Sequence, residues 1–79
     1  MQHDLEDQLR ALLAEQQAAR EAADRAREAL LRRIQASREG HKAARPLQDF
    51  LAANDRAGEA LTQANQALER FRKAHPEAR

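Results

Sequence analysis

Leu47, Phe50, Asn54, Ala57, Leu61, Ala64, Leu68 and Phe71 advance along the chain by alternating steps of three and four. A helix returns to the same side about every 3.6 residues, so this stripe marks one continuous helical face in the register of a coiled-coil seam. The two-residue alternation of a half-buried strand cannot produce it. A thinner stripe precedes it: Leu5, Leu9, Leu12, Gln16, Ala19, Ala23, Ala26 and Leu30. Its period then slips by one, so that Ile34 takes over from Arg33. Two such stripes in 79 residues predict an all-α fold, a two-helix antiparallel coiled-coil hairpin forming one domain over residues 1–79.

The breaks between the stripes give the boundaries. Asp4 can accept hydrogen bonds from the free amides of a first turn, with Asp7 three residues on, so the first helix is expected to start there. Gly40 is a natural left-handed stop, which ends that helix at about Glu39. Pro46 suits a first turn, where its missing amide would be unpaired anyway. His75 stands before Pro76 and is biased out of helical geometry, so the second helix ends near Ala74. The expected helices therefore span about 4–39 and 46–74, and so short a connection makes them antiparallel neighbours. A single helix running on through residues 40–45 into an intermolecular bundle is the alternative.

Folding the chain about residues 42 and 43 pairs positions whose numbers sum to about 84. Phe50 then meets Ile34, Asn54 meets Leu30, Leu61 meets Ala23, Leu68 meets Gln16 and Phe71 meets Leu12. Large residues face small ones, as close packing requires. Gln16 and Asn54, polar residues inside the stripes, read as devices that fix the register. Elsewhere Glu6–Arg10, Glu21–Arg25, Glu28–Arg32 and Glu69–Lys73 are acid-first pairs four apart, the mark of solvated helix faces.

Composition limits what such a hairpin can do. Phe50 and Phe71 are the only aromatic residues, and much of the apolar share is alanine. A core this thin points to a partner or to oligomerisation. There is no cysteine to act as nucleophile, disulfide or metal ligand. His3, His41 and His75 lie at the start, the break and the end, without metal-ligand spacing. Ser37 and Thr62 carry no motif, and two helices cannot enclose a pocket that would perturb a carboxylate. The chain therefore reads as a non-enzyme that needs no cofactor. Fourteen basic and 13 acidic residues give a net charge of +1, which argues against a nucleic-acid binder. No stretch approaches the ~18 apolar residues of a membrane span, and cytoplasm is the default location.

Two surface features qualify as binding sites. Leu13, Leu31 and Leu51 fall beside the predicted seam, and Leu5, Leu9 and Leu13 form a ladder that broadens it near the N-terminus. Leu13 and Leu31 are eighteen residues apart, five helical turns, and share a face. Leu5, Leu9, Leu13, Leu31 and Leu51 are thus the expected partner-binding residues, a second apolar strip that docks on another protein. Arg32, Arg33, Arg38, Lys42 and Arg45, with His41, form a basic cluster at the hairpin tip. It could meet phosphate or an acidic partner, but the favoured reading is complementation of the helix dipole.

The order Leu5-Glu6-Asp7-Gln8-Leu9, a long helix, the Gly40 break, Pro46-Leu47-Gln48-Asp49-Phe50, and then Ala57, Glu59, Ala60, Leu61, Ala67 and Leu68 resembles the E-component needle co-chaperones of bacterial type III secretion systems. The resemblance covers most of the chain. It implies a cytoplasmic hairpin that pairs with a helical-repeat chaperone and holds a needle subunit soluble before export. Gln63, Asn65 and Gln66 make the second helix more polar than in similar proteins. The rival expectations are a self-associating coiled coil from a phage or plasmid, in which the chain forms a homo-oligomer, and a small nucleic-acid-associated regulator using the basic tip.

Overall fold

A computed structural model describes residues 2–40 and 46–77, with side chains from Asp4 onward. Two helices make up the fold: α1, Gln2–Arg38, and α2, Leu47–Ala74. They pack along their length as an antiparallel helical hairpin that extends 59 × 15 × 14 Å.

The helix ends lie within two residues of expectation. α1 begins at Gln2, so Asp4 sits inside the first turn and not at the cap. There its carboxylate faces the positive end of the helix dipole. At the other end Glu39 N–H still donates to the Gln35 carbonyl at 3.0 Å, and Gly40 N–H closes a tighter turn on the Ser37 carbonyl at 3.2 Å. Gly40 then takes φ +78°, a conformation that side chains disfavour and glycine accepts. That break excludes one continuous helix. Pro46 precedes α2 as its cap, with φ −62° and an extended ψ of 150°. Its carbonyl accepts from Asp49 N–H at 3.1 Å. Proline thus stands one residue earlier than expected, because the cap position takes an extended ψ. At the C-terminus His75 leaves the helix with φ −135°, as the following Pro76 demands, while its N–H still reaches the Phe71 carbonyl at 2.9 Å.

The seam forms as the stripes predict. Leu5, Leu9, Leu12, Gln16, Ala19, Ala23, Ala26, Leu30 and Ile34 of α1 are half-buried, as are Phe50, Asn54, Ala57, Leu61, Ala64 and Phe71 of α2. Leu68, 3% exposed, is the one buried residue among those described. Leu47 departs from the pattern and is 38% exposed. It lies in the first turn of α2, at the edge of the contact.

A polar contact crosses the hairpin and marks its register. Gln16 Nε2 donates to Asn65 Oδ1 across the hairpin at 2.6 Å. Their numbers sum to 81, short of the expected 84 by less than one helical turn. The expected opposite of Gln16 was Leu68. Asn65, one step of three before it, supplies the polar partner.

Alanines widen the seam on one side only. Ala22, Ala29 and Ala36 of α1 and Ala53 and Ala67 of α2 are half-buried and recur at multiples of seven residues. None of them carries bulk beyond Cβ, so that edge holds no large side chain between the helices.

Candidate protein-docking face

The two broad sides of the hairpin differ. On one, Glu15 and Ala19 of α1 and Ala60, Gln63, Ala64, Ala67 and Arg70 of α2 line an open groove of about 500 Å³. Glu15, Ala60, Gln63 and Ala67 each stand one place before a seam residue. A step of one residue turns about 100° around the axis, and in antiparallel helices the same sense of turn leads to the same side of the pair. Residues one place after a seam residue therefore share the opposite side.

Leu13, Leu31 and Leu51 follow the seam residues Leu12, Leu30 and Phe50, so all three lie on that opposite side. Leu47, three places before Phe50, turns the same way by about 60°. These four are the exposed large hydrophobic residues among those described, at 38% for Leu13, 54% for Leu31, 38% for Leu47 and 44% for Leu51. With Gln16 level with Asn65, Leu31 and Leu51 stand at the same level within about one residue, or 1.5 Å. Leu31, Leu47 and Leu51 thus gather at the end of the hairpin near Gly40, and Leu13 lies towards the other end.

Leu5 and Leu9 behave differently. Both are half-buried in the seam, so the hairpin itself uses them. Nor is the leucine side one apolar strip. Arg20, Asp24 and Arg27 lie on it between Leu13 and Leu31, and Asp24, Arg27, Glu28 and Leu31 together line a shallow hollow. The face has apolar ends and a charged middle. Leu47 belongs to it although its spacing placed it in the seam; its position four residues before Leu51 was the available signal.

The basic residues do not assemble in the same way. Arg32, Arg33 and Arg38 are separated by about 100° or more around α1, so the three do not share a face. Exposed Arg32 pairs with Glu28 at 3.8 Å, just as Lys73 pairs with Glu69 at 3.3 Å. Arg33 is half-buried and Arg38 exposed near the negative end of α1, which suits dipole complementation. Lys42 and Arg45, with His41, lie outside the described residues.

His75 packs its ring against Phe71, with centroids 4.8 Å apart, and its Nδ1 lies 3.5 Å from Glu77 Oε1. This contact secures the C-terminal turn. Among the described residues no group of three or more His, Asp or Glu could hold a metal ion. No helix among them is long and apolar enough to cross a membrane. Comparison with protein-family models, with curated proteins and with solved structures finds no match to this chain.

Proposed function

We propose that the chain is a non-enzymatic protein-binding subunit, a co-chaperone of the type III secretion kind. It pairs in the cytoplasm with a helical-repeat chaperone and keeps a needle subunit soluble before export. The observation that carries the reading is the placement of Leu13, Leu31, Leu47 and Leu51 on one side of a hairpin whose described residues bury a single side chain. Several large apolar side chains exposed on one side of so thin a core support an interaction site there. An apolar helix face meeting a groove between helices is a recurrent mode of recognition. A helical-repeat partner presents such grooves, and its contact would supply the buried area that this hairpin lacks. The sequence order that resembles the co-chaperones supports the finer assignment.

The test is capture of partners from native cells by the tagged chain, with bound proteins identified by mass spectrometry. The expected result is a stoichiometric small helical-repeat protein together with a needle-type subunit. Replacing Leu13, Leu31 and Leu51 by Asp should abolish their recovery while leaving the helical circular-dichroism signal intact. Recovery of the chain with no protein partner overturns the assignment.

A further inference from the structure

Gly58 has no task inside the hairpin. It stands in the interior of α2, where glycine is among the poorest helix formers. Its φ is not positive, and a Cβ there would meet nothing within 4 Å, so neither backbone conformation nor space within the fold calls for glycine. Gly58 follows the seam residue Ala57 and so lies on the leucine side. It stands seven residues beyond Leu51 and within ~20° of the same line along α2. Asp55 and Thr62, its neighbours on that side, turn about 40–60° further outward.

With Gln16 level with Asn65, Gly58 is level with Ala23, within about one residue of the midpoint between Leu13 and Leu31. Ala23 and Ala57, both half-buried, form the floor between the helices there. None of Ala23, Ala57 and Gly58 carries bulk beyond Cβ. The leucine side is therefore a saddle, raised by Leu31, Leu47 and Leu51 at one end and by Leu13 at the other. On α1 the exposed Arg20 and Arg27 stand to either side of the level of Ala23. Among the described residues neither forms an ion pair.

We propose that one helix of the partner crosses the hairpin at Gly58, and that this glycine sets how closely the two backbones approach. A helix is about 10–12 Å across, and Leu13 and Leu31 stand ~27 Å apart along α1, so the helix fits between them. Close approach of two backbones is a use to which glycine is suited. The crossing helix carries a small residue at the contact, apolar side chains towards the leucines and acidic side chains for Arg20 and Arg27. The inference rests on the proposed function's reading of this face and names the element of the partner that fills it.

Calorimetric titration tests it, with the purified helical-repeat protein that is recovered with the tagged wild type as the probe. The variants are Gly58→Ala, Gly58→Leu and R20E/R27E, with Ala60→Leu, exposed on the opposite side, as control. Gly58→Ala should raise the melting temperature of the isolated hairpin and yet weaken binding. The loss should be at least about fivefold for Gly58→Ala and about a hundredfold for Gly58→Leu, since a side chain forced into a filled contact acts as overpacking does. R20E/R27E sets like charges against the partner and should weaken binding at least about tenfold. Ala60→Leu adds the same bulk as Gly58→Leu or less and should bind as the wild type does. Wild-type affinity in either glycine variant or in R20E/R27E, or an equal loss in Ala60→Leu, overturns the proposal. If the chain with Asp at positions 13, 31 and 51 has nonetheless lost the partner, the proposed function stands. A wild type that recovers no partner removes both.

Discussion

Single side chains contribute very unequally here. Leu68 is the one buried residue among those described, so its methyl groups carry a disproportionate part of the apolar stabilisation. Leu68→Ala should cost about 2–5 kcal/mol, the range for truncating a buried leucine. Urea denaturation at fixed protein concentration measures this; a loss below about 1 kcal/mol would show that the seam closes around the gap. Gln16 illustrates what a sequence shows of one residue and what it hides. Its place inside the stripe announced a register device. That Asn65 would answer it was not legible, because Asn65 lies just off the stripe and reads as solvated polarity. Asn65 stands level with Gln16, one step of three before the expected Leu68, and that offset in register supplied the partner.

At the scale of the helices, the boundaries were legible because glycine and proline act through backbone geometry that no distant contact overrides. Gly40 stopped α1, and Pro76 expelled His75 from α2. The two glycines should respond oppositely to the same change. Gly40→Ala forces a side chain into φ +78° with nothing within 4 Å of the new Cβ, so the penalty is purely conformational, about 1–2 kcal/mol. Gly58 lies inside α2, where a Cβ also meets nothing within 4 Å, and Gly58→Ala should stabilise by about 0.5–1 kcal/mol. Thermal unfolding of the two variants should shift in opposite directions; a shared sign would contradict the assigned conformations. The alanine edge was much harder to read. Alanine serves equally as helix former, spacer and surface residue. The seven-residue recurrence of Ala22, Ala29 and Ala36 therefore gains meaning only once the side of α1 that α2 covers is known.

The docking face belongs to the whole molecule, and it was half legible. Three of its four leucines stand out beside the seam, but their common side follows only from the antiparallel pairing. Leu5 and Leu9, read both as stripe residues and as part of that face, are half-buried in the seam. A hairpin so sparsely buried should gain stability by association. Its melting temperature should therefore rise when a partner that binds only the folded chain is added. Differential scanning fluorimetry with an extrinsic dye over a range of partner concentrations would show this, and a midpoint independent of the partner would mean that the lone hairpin stands unaided.

The 59 Å length against a 15 Å width has a hydrodynamic consequence. The radius of gyration is 17.5 Å, where a compact chain of this length has about 12 Å. Such a rod suffers more friction than a sphere of equal mass and leaves a sizing column early, as if it were heavier. Two rods laid side by side become thicker without becoming longer, so their elution changes less than their mass does. Elution position is therefore a poor guide to how many chains travel together, and light scattering, which weighs particles irrespective of shape, is the measurement that counts them.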